Sequence, residues 1–228
     1  MAQVCAESLS GLVIHQLRRP GAPFIFGGMA SLMDMRSTVF SYGAPEFQLG
    51  NAMLAEMAHY FGLPNFETAG TSDSHLFDGQ ALVEATSSCL MAALTGANLI
   101  HDVGLLGSAT VVMPEMIVAT NEIVSMIGGL VGEVKVDSEA LALDVIGDVG
   151  PGGEFVTHPH TLAHFRDVWY SDLFVRTTMA AGANRGERRF EERVNERTRE
   201  LIERPWPEPL PLATIDSMQE IIAEAQGG

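Results

Sequence analysis

An ionisable pair directly follows an apolar stretch in the middle of the sequence. The largely apolar run 97–100 leads into His101 and Asp102, and Gly104 ends the segment. Short apolar runs bounded by turn residues are typical of buried strands, and parallel α/β folds build their sites where strands end. An imidazole can bind an anionic group, and a neighbouring carboxylate can orient the ring. We therefore expect His101 and Asp102 to form the centre of a functional site.

Two earlier segments repeat this arrangement. Segments 23–28 and 64–70 are short, largely apolar and glycine-terminated, and polar residues follow each of them. Glu67 lies inside the second segment, where an ionisable group is costly to bury unless it is paired or used. Loop residues such as Asp34, Ser72 and Asp73 are, taken singly, equally well explained as turn or cap residues. The expected substrate-binding residues are His101, Asp102, Glu67, Asp73, His75 and Arg36.

Helical patterns separate the strands. Apolar spacing, together with proline and glycine signals, predicts helices over Ala2–Arg19, Pro45–Phe61, Asp78–Leu94 and Pro114–Val131. Successive strand-to-helix units imply right-handed parallel crossovers, and therefore an α/β fold. Polar residues after every strand favour a partial TIM (β/α) barrel over a Rossmann sheet, which concentrates its site at one switch point. A full barrel needs about 250 residues and eight strands, whereas this sequence shows only about three parallel βα units.

The repeat is lost in the last part of the chain. A proline-rich connector is expected over 206–211, and helices are predicted over Ser138–Val149, Thr161–Tyr170 and Thr214–Ala225. Arginines and glutamates interleave between 176 and 204, which is typical of a solvated, salt-bridged helix rather than of a binding patch. We expect residues 1–135 to be the C-terminal portion of a (β/α) barrel and residues 136–228 to be a helical extension packed on it.

The composition excludes several classes of protein. Thirteen Lys and Arg against 29 Asp and Glu give a formal net charge of -16, which repels nucleic acid phosphates and anionic membrane surfaces. No apolar stretch is long enough to span a membrane, and the N-terminus lacks a signal-peptide pattern. We therefore expect a cytoplasmic protein. Cys5 and Cys89 are too few for a disulfide framework or a thiolate metal site, and Cys89 is expected in the core.

Two other motifs offer alternative sites. His158, His160 and His164 could serve a metal-dependent hydrolase, because residues four apart share a helix face. No carboxylate or thiol stands at motif spacing, however, so no metal is expected, and His160 is a candidate helix cap. The glycine-rich segment 150–153 lacks the phosphate-binding fingerprint and is expected to stop a helix. Signatures for acyl or phosphoryl transfer are absent from the sequence.

Several segments, in the same order, resemble the trimethylamine methyltransferase family. They are residues 19–23, 33–36, 71–74 with 78–81, 96–104, 115–116 and 160–166. The family includes pyrrolysine-bearing enzymes and a non-pyrrolysine branch that includes glycine betaine methyltransferase. The resemblance covers nearly the whole chain and implies part of a TIM-barrel enzyme. Because family members are much longer, this chain is similar to their C-terminal half.

The resemblance also implies an activity. Such enzymes move a methyl group from a quaternary or tertiary amine, such as a betaine or trimethylamine, to a corrinoid (cobalamin) carried by a cognate partner protein. No cofactor would be bound directly, and no catalytic residue is assigned because the protein's part is positioning. Family pyrrolysine falls near His75, and the ordinary histidine here favours a betaine, whose carboxylate His101 would orient with Asp102 in support.

The partial barrel itself predicts association. A barrel cut open exposes a strand edge and an apolar inner face, so we expect a homo-oligomer or a separate N-terminal half to cover them. The alternative to an enzyme is a non-catalytic half-barrel that needs that half.

Overall fold

Three short strand segments run side by side in the structure. The computed structural model describes residues 1–184, 186–204 and 210–226. Strand β1 (Phe66–Thr68) pairs in parallel with β2 (Leu99–His101), with Thr68 opposite His101. On the other side of β1, a parallel bridge joins Phe26 to Asn65. The three predicted strands are therefore parallel neighbours, with β1 in the middle.

Four long helices alternate with these strands close to the predicted bounds. They are α1 (Ala2–Arg18), α2 (Pro45–Tyr60), α3 (Gly79–Leu94) and α4 (Pro114–Val131). Both α2 and α4 begin with proline, which suits the first turn because its missing N–H would have no helical partner there. Asp78 caps α3 by accepting the Ala81 N–H. The alternation agrees with the α/β class, while no closed barrel forms within the described residues. The partial barrel therefore stays a proposal.

Small side chains bring α3 and α4 together. Ala81, Ala85, Cys89 and Ala92 of α3 are buried in one cluster with Met116 and Ile123 of α4. Small residues let helix backbones approach closely, and the larger side chains of the partner fill the remaining space. Cys89 is therefore the core thiol that the sequence predicts.

A short hairpin that the sequence analysis did not predict follows β2. It consists of β3 (Leu105–Leu106) paired antiparallel with β4 (Val111–Val112). Two-residue strands carry too little periodicity to be recognised in a sequence. The hairpin matters because its turn contributes Ser108 to the polar network described below.

The C-terminal part differs from the prediction at several points. Its helices are α5 (Ser138–Leu141), α6 (Leu143–Val149), α7 (Pro159–His164), α8 (Met179–Asn184), α9 (Phe190–Glu203) and α10 (Leu212–Gln226). Ala142, with φ +48°, breaks the single helix predicted over Ser138–Val149. The helix predicted over Thr161–Tyr170 begins and ends earlier, and His158, not His160, is its cap. Gly150 ends α6, as predicted. Connector residues 206–209 lie outside the described residues.

Helix α9 is the charged helix that the sequence predicts, and it packs on α4. Arg197 pairs with Glu200 along its surface, while Val194 and Thr198 are buried. The Glu122 carboxylate of α4 also anchors the chain before α9: it accepts hydrogen bonds from the hydroxyl of Ser171 and from the backbone N–H groups of 172 and 173. These contacts attach the C-terminal part to α4. A domain boundary at residue 135 stays a prediction.

None of the helices in the described ranges has both the length and the apolar character that crossing a membrane requires.

Candidate functional site

His101 and Asp102 form a pair at the end of β2. Nδ1 of His101 lies 2.9 Å from Oδ1 of Asp102, and the His101 side chain is 39% exposed. The other carboxylate oxygen, Oδ2, accepts a hydrogen bond of 3.2 Å from the hydroxyl of Thr68 on β1. A carboxylate bound to Nδ1 orients the ring and leaves Nε2 for a ligand. The sequence predicts such a supporting role for Asp102, and that role stays a prediction.

The backbone at Asp102 bends sharply after the strand. Asp102 has φ +73°, in the left-handed region that aspartate tolerates better than most residues. Its carbonyl accepts a hydrogen bond of 2.8 Å from the Thr71 hydroxyl, and the Ala69 N–H donates to the carbonyl of His101 at 3.0 Å. The end of β1 therefore holds the end of β2 in place through both side chains and backbone.

Phe66 lies beside His101 on the same face of the sheet. Their ring centroids are 4.9 Å apart with an interplanar angle of 43°. Gly27 makes room for the ring, because a Cβ at that position would overlap Phe66. The sequence analysis missed Phe66 and Thr68, although alternation along β1 could have found them: residues two apart share a face.

Glu67 points to the opposite face of β1. It is 5% exposed, and among the described residues its carboxylate accepts a hydrogen bond from the hydroxyl of Thr95 at the end of α3, at 3.4 Å. Burial raises the pKa of its carboxyl, and the Thr95 hydrogen bond opposes that shift. Glu67 therefore lies on the helix side of the sheet and does not join the His101 cluster, contrary to the convergence expected from the sequence.

The carboxylate of Asp73 links the loop before α2 to the hairpin turn through hydrogen bonds. Its carboxylate accepts hydrogen bonds from the Ser41 hydroxyl, the Tyr42 N–H at 2.9 Å, the Gly43 N–H at 3.0 Å and the Ser108 hydroxyl at 3.0 Å. Four donors occupy most of the acceptor capacity of a carboxylate. The structure thus shows Asp73 holding the loop before α2 against the hairpin turn.

The phenol of Tyr42 lies in the field of both Asp73 and Asp102. Burial raises the pKa of its phenol, and the negative charges of Asp102 and Asp73 raise it further. The ring packs edge-on against Phe40 and Phe47, with centroid distances of 4.4 Å and 5.4 Å. An aromatic cluster therefore stands next to the two carboxylates.

The remaining expected site residues lie apart from this cluster. His75 is exposed and borders Gly107 in the hairpin turn. Arg36 occupies an exposed turn, in which its backbone N–H donates to Asp34 Oδ1 at 2.7 Å. Within the described residues, no hydrogen bond or ion pair joins either side chain to His101 or Asp102.

The three C-terminal histidines do not converge on a common ligand position. Nδ1 of His158 accepts the His160 N–H at 3.1 Å, while His164 contacts Asp167 through Nδ1 at 2.7 Å and Glu139 through Nε2 at 3.3 Å. Among the residues that the structure describes, no three His, Cys, Asp or Glu side chains are grouped to hold a metal ion. The hydrolase alternative therefore has no support in this geometry.

The site thus combines an oriented imidazole and a carboxylate at the end of β2 with an exposed aromatic ring at the start of β1. The sequence model of the trimethylamine methyltransferase family (MTTB) matches residues 1–227. The chain belongs to the trimethylamine methyltransferase family. A trimethylamine methyltransferase of Desulfitobacterium hafniense is 34% identical over 220 residues, which are 96% of this chain and 44% of that protein.

Other members of the family are similar to the same extent. A glycine betaine methyltransferase of Desulfitobacterium hafniense is 35% identical over 167 residues, 73% of this chain and 35% of that protein. A trimethylamine methyltransferase of Methanosarcina mazei is 30% identical over 220 residues, 96% of this chain and 44% of that protein. The chain spans less than half the length of these relatives. The match to their C-terminal half agrees with the resemblance seen in the sequence.

Proposed function

We propose that this chain is part of an enzyme that transfers a methyl group from a methylated amine to the corrinoid of a cognate partner protein. The observation that carries the proposal is the His101–Asp102 pair beside Phe66, in a chain that belongs to this methyltransferase family. The partner's corrinoid would supply Co(I), whose electron pair forms the new bond to carbon while the amine leaves with the electrons of its C–N bond. The residues of this chain would bind and orient the amine.

A quaternary amine with a carboxylate, such as a betaine, fits the site better than trimethylamine does. A quaternary ammonium has no proton to donate, so aromatic faces and carboxylates must recognise it. Nε2 of His101 is the ring nitrogen that Asp102 does not contact, and as an N–H it would donate to a substrate carboxylate. The ordinary histidine at position 75 also supports the proposal that the chain is of the non-pyrrolysine branch.

The face that carries His101 is open in this chain. Leu99, next to His101 on the same face, is 54% exposed, and Ile25 and Met29 are also exposed. Among the described residues, β2 pairs with β1 alone, so its outer edge is free. We propose that the first half of a (β/α) barrel covers this face and edge, with self-association of this chain as the alternative. The proposed location of the assembled enzyme is the cytoplasm.

Corrinoid methylation tests the proposed function. The chain is mixed with the N-terminal half of the Desulfitobacterium hafniense glycine betaine methyltransferase, and Co(I) corrinoid protein is methylated with glycine betaine or trimethylamine as donor. We expect glycine betaine to be used, and His101→Ala to lower kcat/KM about tenfold to a hundredfold, the loss of one hydrogen bond to a charged group.

The same assay separates the enzyme from its alternatives. Absence of methylation with either donor would support the non-catalytic half-barrel. Unchanged kcat/KM in His101→Ala would remove His101 from the substrate contacts. Light scattering of the chain alone gives a second measure, because a stable monomer at high concentration contradicts the need for a covering partner.

A further inference from the structure

Phe66 is an aromatic residue of β1 that lies beside His101. It lies opposite Leu99 in the register of β1 and β2, two residues before Thr68, which lies opposite His101. Paired residues in adjacent strands project from the same face, so Phe66 and His101 are on one side of the sheet. On that side Leu99 is 54% exposed and Phe66 is 39% exposed.

The local packing keeps the ring of Phe66 in this position. Gly27 has no side chain, and a Cβ there would overlap Cδ1, Cε1 and Cζ of Phe66. The imidazole of His101 lies against the ring with 4.9 Å between centroids. Its Nδ1 is paired with Asp102, whose carboxylate also accepts the Thr68 hydroxyl. An exposed aromatic ring is thus held beside an oriented anion-binding group.

We infer that Phe66 is the aromatic contact for the ammonium group of the substrate, and that the spacing of Phe66 and His101 selects amines with a nearby carboxylate. This inference rests on the proposed function and adds the residue that recognises the cation. A quaternary ammonium binds an aromatic face within about 6 Å of its centroid. Because the two rings are 4.9 Å apart, a ligand that contacts both must carry its positive and negative groups close together, as in glycine betaine.

Three ligands separate the two contacts. Glycine betaine carries both charges, tetramethylammonium carries the cation alone, and 3,3-dimethylbutanoate is the uncharged-carbon counterpart of glycine betaine with its carboxylate intact. Binding of each to the whole chain, combined with the N-terminal half used in the methylation assay, is measured by titration calorimetry and by the chemical shifts of the ligand methyl groups. The variants are Phe66→Leu, Phe66→Tyr and His101→Leu, with Leu99→Ala as a control on the same face.

The expected pattern is specific to each residue. Phe66→Leu should weaken glycine betaine and tetramethylammonium about threefold to thirtyfold, the range of a cation–π contact, with 3,3-dimethylbutanoate unchanged. Phe66→Tyr should keep wild-type affinity because it retains the aromatic face. His101→Leu should weaken glycine betaine and 3,3-dimethylbutanoate but not tetramethylammonium. Leu99→Ala should change none of the three by more than about twofold, the scale of a peripheral contact.

A second variant tests the position of the ring rather than its presence. Gly27→Ala should displace Phe66 and weaken tetramethylammonium as Phe66→Leu does, whereas Gly11→Ala, where a Cβ meets nothing within 4 Å, should have no effect. The inference is overturned if Phe66→Leu lowers the affinity for all three ligands equally, or for none of them. A loss of affinity for the carboxylate ligands in His101→Leu would still support the proposed function. If glycine betaine does not bind the wild-type assembly at millimolar concentration, the proposed substrate and the selection inferred from it are wrong; if it binds and Phe66→Leu leaves its affinity unchanged, the inference alone is wrong.

Discussion

The Asp73 carboxylate offers the most direct test of how the loops around the site are held. It accepts four hydrogen bonds, from Ser41, Tyr42, Gly43 and Ser108. Asp73→Ala removes all four, and two of the abandoned donors are backbone N–H groups that cannot turn to another partner without moving the loop. We expect the loop before α2 to separate from the hairpin turn.

The size of the effect follows from the number of bonds and their exposure. A hydrogen bond to a charged group contributes about 1.5–3 kcal/mol when well buried, and a typical bond contributes about 1 kcal/mol. Because Asp73 is half-buried, about 1 kcal/mol applies to each of its four bonds. Asp73→Ala should therefore lower the free energy of unfolding by about 4 kcal/mol. Asp73→Asn retains one carbonyl oxygen that can accept two bonds, so about half of that loss is expected.

Urea unfolding followed by circular dichroism measures the free energy, and amide hydrogen exchange at Tyr42 and Gly43 locates the change. The control is Asp34→Ala. Asp34 also accepts two backbone N–H groups, from Arg36 and Ser37, but it is exposed, so less than about 1 kcal/mol is expected. The carboxylate does not hold the loop if the free energy of unfolding of Asp73→Ala is within about 1 kcal/mol of the wild-type value. The same conclusion follows if the amides of Tyr42 and Gly43 keep their protection from hydrogen exchange.

Three further predictions concern buried groups. Burial raises the pKa of Glu67, so the stability that its protonated form contributes is complete below the unfolded pKa of about 4.3 and is lost as pH rises through the folded value. The urea concentration at the midpoint of unfolding should therefore be the same for Glu67→Gln and wild type at pH 4, and higher for Glu67→Gln at pH 7. Equal midpoints at pH 7 would contradict this prediction. Burial raises the pKa of Cys89 to about 11, so a thiol reagent at pH 8 should label half-buried Cys5 long before Cys89, and equal rates would argue against a buried thiol. Glu122→Ala removes the acceptor of the Ser171 hydroxyl and of the 172 N–H, while the 173 N–H keeps Ser171 Oγ. The free energy of unfolding in urea should fall by about 2–4 kcal/mol, and Glu203→Ala, at an exposed position, is the control that should leave it unchanged.

Local signals explain which parts of the fold could be predicted from the sequence. The helix over Pro114–Val131 has the predicted bounds, because a proline start and a long apolar period are both local. The break at Ala142 was missed: its left-handed φ of +48° follows from no feature of alanine, which is a good helix former. The hairpin was missed because it depends on contacts between very short strands. Parallel pairing of the strands followed from the order of strands and helices.

In the candidate site too, contacts between residues adjacent in sequence could be predicted, and those that depend on tertiary packing could not. The pairing of His101 with Asp102 involves adjacent residues, and it could be predicted. The assignment of Glu67 to the cluster could not be checked from the sequence, because alternation tells which residues share a face but not which face the helices cover. Packing by α2 and α3 decides that question, and it buries Glu67 while leaving Phe66 on the open side.

The orientation of the β1 side chains lowers the stability of the chain taken alone, and it determines which residues face the site. Leaving a phenylalanine side chain exposed forgoes part of the roughly 1.5–3 kcal/mol that its burial would contribute, while burying a carboxylate with one weak partner adds a desolvation penalty. The reverse orientation would relieve both costs but would turn the positions of Thr68 and His101 toward the helices. The observed orientation keeps His101, Phe66 and Thr68 on the face that a barrel would enclose. The side chains of β1 therefore fit the interior of a larger barrel better than they fit a free surface.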